Sequence, residues 1–287
     1  MFHFLNLIKI LLLGILEGIT EWLPVSSTGH MLLLNRLWPL QDVSEGFWET
    51  FLYVIQLGAI IAVVILFWKR MWPFRRPVAA AADDQAPGSK VPSWIRLPVI
   101  QTWLKVVVAC IPGAIAEFAI GDLVPETMPV IAAMLILYGA VFVALELWNA
   151  GRTPKIRKMG QIDYRTALLI GLFQVLAVVP GTSRSGMTII AALILGVSRV
   201  AAVEFSFFIA VPVMLGMSAL KLIKGGFALT GAEIVYLLLG MAVAFVESLL
   251  VIRPILNFIK KHDFKPFGYY RIGLGLLIFL LLILKVI

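Results

Sequence analysis

The feature that most constrains this chain is a series of solid apolar runs at 47–68, 99–118, 128–148, 201–222, 231–252 and 267–287. Crossing a hydrocarbon core of about 30 Å takes roughly 20 apolar residues, so each run is a candidate span. The runs are continuous and do not alternate at period two, which predicts helices and not a barrel. The chain is 61% hydrophobic and only 14% charged, against about 45–50% and about 25% for soluble domains. An all-α polytopic membrane protein is expected, folded as a single integral membrane domain over residues 1–287.

Two further apolar regions are not read as spans. Residues 1–38 form two arms broken at Pro24, the second of them (26–38) too short to cross. Residues 164–196 repeat the pattern with a break at Pro180-Gly181. Each is predicted to be a re-entrant helical hairpin that dips into the bilayer and returns to its own side. Non-helical backbone at that depth needs protein or a water-filled cavity around it. Polar residues, and no small-x-small cleavage site, follow the first apolar stretch, so it is not read as a signal peptide.

Charge supports six spans plus two hairpins. That topology gathers loops 69–98, 149–165 and 253–266 on one side, with Lys69, Arg70, Arg75, Arg76, Lys90, Arg96, Arg152, Lys155, Arg157, Lys158, Arg165, Arg253, Lys260, Lys261 and Lys265. The opposite side holds Asp42, Glu45, Asp122 and Glu126 against Arg36, Lys221 and Lys224. Basic loops mark the cytoplasmic face, so both termini are expected to face outward. This placement also accounts for the net charge of +8, and no nucleic-acid partner is expected. The stretch 75–98, rich in Ala, Pro and Asp, is read as a flexible connector. A lone Cys110 forms no internal disulfide. One Cys and three His (His3, His30, His262) do not suggest haem or structural zinc.

Each half, about 1–150 and 160–287, reads as one hairpin followed by three spans. An odd number of crossings inverts the second copy, and PVSSTGH at 24–30 is echoed by PGTSRSG at 180–186. Glu49 and Glu204 fall at matching places in the following spans. Inverted repeats with broken helices form sites near the midplane. The two tips are therefore expected to bring Glu17, Glu21, Ser26, Ser27 and His30 against Ser183, Arg184, Ser185 and Thr188.

Glu17 and Glu21, four apart on a helix, share a face. Two carboxylates inside a membrane repel and are costly to ionise. A divalent cation, magnesium or calcium, compensates them most simply; the alternatives are two neutral acids or neutralisation by Arg184 alone. The stretch PGTSRSGMT at 180–188 combines glycines, hydroxyls, the planar fork of Arg184 and the start of a helix, which together suit phosphate. It lacks P-loop spacing. Ser27 or His30 is the candidate nucleophile, with Glu21 or the other residue as base.

These residues resemble a known family. EGITE (17–21), PVSSTGH (24–30) and PGTSRSGMT (180–188), with GVSRVAAVEFSF at 196–207 and the FLYVIQLGAIIAVV span, are similar over essentially the full length to the undecaprenyl-diphosphate phosphatases of the bacterial inner membrane, also called bacitracin-resistance proteins. The resemblance implies hydrolysis of undecaprenyl diphosphate to undecaprenyl phosphate, recycling the lipid carrier of peptidoglycan synthesis. It further implies a divalent cation, a site opening outward to the periplasmic side and, in many members, a homodimer. Glu21, Ser27, His30 and Arg184 would be catalytic, and Glu17 and Glu21 would hold metal. Ser26, Thr28, Gly181, Ser183, Ser185 and Thr188 would bind or shape the site around the polyprenyl diphosphate.

A secondary transporter or lipid flippase is the strongest rival, because inverted repeats with crossed hairpins serve carriers equally well. A carrier needs a binding site but no nucleophile, so the cluster of Glu21, Ser27 and His30 favours the enzyme. The spacing of Gly14 and Gly18 is a candidate packing surface, the alternative being that Gly18 accommodates the site.

Overall fold

A computed structural model describes residues 4–74, 92, 94–224 and 229–287. The connector expected at 75–98 lies largely outside the described residues. The first hairpin is α1 (Phe4–Thr20) and α2 (Ser27–Leu37), and the second is α7 (Tyr164–Gln174) and α8 (Arg184–Ile194). The remaining helices are α3 (Phe47–Val54), α4 (Gln56–Met71), α5 (Leu97–Ile120), α6 (Met128–Trp148), α9 (Arg199–Lys224), α10 (Gly231–Lys261) and α11 (Lys265–Ile283). Helices α3 and α4 run on as one segment, so six segments are long and apolar enough to cross a bilayer. They coincide with the six expected runs.

One boundary differs. Residues 253–266 were expected as a loop, but α10 continues through Pro254 to Lys261. Proline removes one backbone donor and crowds the preceding turn. The packing of Ile255 and Ile259 into the core outweighs that, leaving a short connection to α11.

Both short hairpins return to the end they came from. At 1.5 Å per residue, the 11 residues of α2 reach about 16 Å, half a hydrocarbon core. The chain beyond α2 comes back beside the start of α1: Asn6 Nδ2 donates to Gln41 O at 2.7 Å and Lys9 Nζ to Pro39 O at 2.5 Å. The second hairpin closes at its base with Lys155 N to Gly196 O at 2.9 Å and Ser198 N to Ile156 O at 2.8 Å. The two bases lie at opposite ends of the bundle. Ser44 N bonds Glu233 at one end. At the other, Glu146 receives Arg199 and the Phe264 amide.

Apolar burial cannot drive helix association in lipid as it does in water, so close packing by small residues carries more of the load. Helices α6 and α11 approach until a Cβ on Gly139 would lie 2.7 Å from Gly268 O, and the reverse contact is equally close. Gly14 and Gly18 seat α1 on α10, where added Cβ atoms would meet Gly240 O at 3.0 Å and Ala244 O at 2.8 Å. The pair read as a packing surface packs within the chain.

Candidate active site

The hairpin tips meet. After α1 ends, residues 21–25 form turns pinned by Trp22. This side chain is 1% exposed, donates from Nε1 to Ser248 Oγ at 2.8 Å and meets Phe207 edge-on. Ser26 then takes the left-handed conformation (φ 70°) and caps α2 by accepting from Gly29 N at 3.3 Å. The second break repeats the device: Ser183 (φ 77°) caps α8 by accepting from Gly186 N at 3.1 Å. The parallel SSTG and SRSG sequences thus carry matching local geometry. In both, the helix begins at the tip, and the amides of a first helical turn favour an anion.

Glu21 is the junction. Ser27 Oγ donates to its Oε2 at 2.5 Å, and Arg184 Nη2 donates to its Oε1 at 2.6 Å. The Arg184 fork also reaches Ser206 O through Nη1 at 3.0 Å. Ser185 Oγ donates across to Leu23 O at 3.3 Å. The arginine and the serine that share Glu21 occupy matching places, the first residue of α8 and of α2.

A cavity of about 570 Å³ opens over this junction. Glu21, Ser26, Ser27, Thr28, Gly181, Ser183, Arg184 and Ser185 line its floor, and it extends past Glu49, Glu126 and Lys221 towards the end of the bundle that holds the first hairpin's base. Apolar side chains such as Leu52, Phe118, Val213 and Leu220 form the upper walls.

Three expected residues, Glu17, His30 and Thr188, lie off the cavity wall. The His30 ring stacks on Tyr270 of α11, with centroids 5.6 Å apart. Its Nδ1 sits 2.7 Å from Ser26 O and its Nε2 2.7 Å from Tyr270 Oη. A carbonyl only accepts, so Nδ1 carries the proton, and in the neutral ring Nε2 accepts from the tyrosine. Thr188 is turned into α9, donating to Ser206 Oγ at 2.8 Å behind the carbonyl that receives Arg184. Sequence reasoning missed Arg271, Gln174 and Lys221. An arginine within an apolar span was the available signal for the first.

Glu17 is 1% exposed, one turn before Glu21, and its Oε1 is buried without a hydrogen-bond partner in the protein. Among the described residues no three His, Cys, Asp or Glu side chains gather as a cage. The donor set still fits magnesium, which commonly takes one or two carboxylates and completes its shell with substrate phosphates and water.

Residues 10–277 match the family model described as bacitracin resistance protein BacA. The chain belongs to the BacA family. It is 52% identical to the undecaprenyl-diphosphatase of Enterococcus faecalis, over 97% of this chain and 98% of that protein. Identity is 49% to the undecaprenyl-diphosphatase of Lachnoclostridium phytofermentans, covering 96% of both chains. It is 46% to that of Desulfitobacterium hafniense, covering 96% of this chain and 95% of the relative.

Proposed function

We infer that this chain is an integral membrane undecaprenyl-diphosphate phosphatase. The observation that carries its chemistry is Ser27 bonded to a carboxylate that Arg184 holds from the facing hairpin. Ser27 Oγ attacks the terminal phosphorus while Glu21 takes its proton. The bond from that phosphorus to the bridging oxygen breaks, and undecaprenyl phosphate leaves with the electron pair and takes up the proton from Glu21. Water then attacks the phosphoserine with Glu21 again as base, the bond from phosphorus to Ser27 Oγ breaks, Glu21 returns the proton to Ser27 Oγ, and inorganic phosphate is released. Ser27 is preferred to His30 because both ring nitrogens of the histidine are engaged away from the cavity.

Phosphoryl transfer depends on positioning and on neutralising charge. Arg184, the hydroxyls of Ser26, Thr28, Ser183 and Ser185, and the first-turn amides of α2 and α8 do this around the phosphates. Described residues on the wall include the carboxylates of Glu21, Glu49, Glu117 and Glu126 against the cations Arg184 and Lys221. The unpartnered oxygen of Glu17, one turn from Glu21, supports a divalent cation held by that pair, which when bound would supply positive charge to the phosphate oxygens. The apolar upper wall suits the polyprenyl chain.

An inverted repeat of about 1–150 and 160–287 is supported by the packing. Helix α1 lies on α10 as α7 lies on α5, while α6 and α11 pack on each other. Gly171, matching Gly14, meets Ala109 O at a would-be Cβ distance of 2.3 Å. The cavity points away from the basic end of the bundle, which supports an inner-membrane protein with its site and both termini outward. The whole site comes from one chain, so a homodimer rests on the family resemblance alone.

The decisive assay is inorganic phosphate release from a prenyl diphosphate by purified protein, with and without chelator. Release that the chelator abolishes is expected. No release in either condition overturns the assignment, and lipid transport without release favours a carrier.

A further inference from the structure

Arg271, on α11, is fully buried (0% exposed). No carboxylate forms an ion pair with it among the described residues. Its fork is spent on carbonyls of the two helix breaks instead. Nη1 donates to Pro24 O at 2.9 Å, in the first hairpin. Nη2 donates to Gly181 O at 2.9 Å and Thr182 O at 3.0 Å, in the second, with a longer contact to Met134 O at 3.4 Å. A break in a helix strands carbonyls that lipid cannot satisfy, and one planar fork reaches both sets at once. A compact ammonium lacks that span. The close approach at Gly139 and Gly268 brings α11 near enough, with Arg271 Cβ 3.1 Å from a would-be Cβ on Gly139.

Burying a guanidinium without a counter-ion is expensive. The cation therefore marks a place where both the register and the positive charge matter. Arg271 Nη1 lies 3.4 Å from where a Cβ on Gly186 would be, directly behind the first turn of α8. Its neighbour Tyr270 grips His30, so consecutive residues of α11 hold the first hairpin at two points.

We propose that Arg271 is a positioning residue: it ties the Pro24 break to the Gly181-Thr182 break and so fixes Ser27 and Glu21 relative to Arg184. The inference rests on the phosphatase reading. Arg271 is absent from the cavity wall and acts through backbone, so its loss misplaces catalytic groups without removing a substrate contact.

The test uses purified full-length protein, with R271A and R271K. Wild-type hydrolysis is the control for the phosphatase reading; if the wild type is inactive, that reading has failed instead. Misplacement by about 1 Å costs roughly 100-fold. R271A is expected to migrate as a folded protein, lose kcat on that scale per folded molecule, and change KM less than about threefold. Millimolar guanidinium is expected to restore R271A saturably, where matched sodium chloride and urea do not. R271K is expected to fold and keep only a small part of kcat. Wild-type kcat in either variant overturns the proposal, as does folded R271A that guanidinium fails to rescue. Failure of both variants to fold also overturns it, because the proposal assigns Arg271 to register and not to global stability.

Discussion

The guanidinium of Arg184 meets the carboxylate of Glu21 at 2.6 Å across 163 residues of sequence. Each sits at the tip of a broken helix, and each helix enters from a different end of the bundle. The contact closes the two hairpins on each other while leaving Ser27 on the second carboxylate oxygen. A single carboxylate thus orients both the serine proposed as nucleophile and the arginine proposed to bind phosphate.

It follows that Glu21 and Arg184 are coupled. E21Q removes the general base, a loss of about 100- to 10,000-fold in kcat. R184A removes the grip on phosphate and also frees Glu21. The double variant is expected to be little worse than the poorer single one, because groups acting as a unit are not additive. Phosphate-release kinetics on all four proteins check this, and simple additivity would refute the coupling.

Ser27 and His30 are separated by the same logic. S27A is expected to abolish turnover and the phosphoenzyme, whereas H30A and Y270F loosen the first hairpin and lower kcat more modestly. Acid quenching with labelled prenyl diphosphate reads the phosphoenzyme. Labelled S27A would return the nucleophile's role to the histidine.

Much of this was legible in the sequence because it follows from length and charge. Six runs of spanning length, two breaks at Pro24 and Pro180, and the one-sided basic loops led to the hairpins and to the meeting of Glu21 with Arg184. Side-chain direction was not legible. His30 follows Ser27 by less than a helical turn, yet it faces α11, which only the α6–α11 packing brings close. The echo of Glu49 by Glu204 does not carry a shared role: Glu49 lines the cavity and pairs with Lys221 at 3.7 Å, whereas Glu204 pairs with Arg70 at 2.6 Å at the other end of the bundle. Arg271 was invisible as a brace because its partners are carbonyls, which every residue carries.

Ser26 combines strain with a cap. Its φ of 70° is unfavourable for any residue with a Cβ, while its hydroxyl holds the Gly29 amide. S26A keeps the strain and loses the cap, costing about 1 kcal/mol. S26G relieves the strain and is expected to melt above S26A. Thermal unfolding of the two variants in one detergent measures the order, and S26G melting below S26A would contradict it.

Gly181 has no such latitude. Its φ is 87°, and a Cβ would sit 2.7 Å from Ile131 O. G181A is therefore expected to cost about 1–3 kcal/mol from the backbone alone, and to lower kcat by displacing Ser183 and Arg184. Alanine with unchanged melting and turnover would show that the second break tolerates movement.

Glu17 separates the cation from the base. It lies off the cavity wall, beside Glu21, with one oxygen lacking any partner in the protein. If it helps hold a divalent cation, E17Q should raise the cation concentration for half-maximal activity while leaving most of kcat at saturation. E21Q should lose kcat at every concentration, because Glu21 also takes the proton of Ser27. Titrating magnesium and calcium into chelator-treated protein resolves the two behaviours. Cation-stabilised melting of the wild type, diminished in E17Q, gives a reading that does not depend on turnover. An E17Q titration superimposing on the wild type would remove Glu17 from the cation site and leave its burial as packing alone.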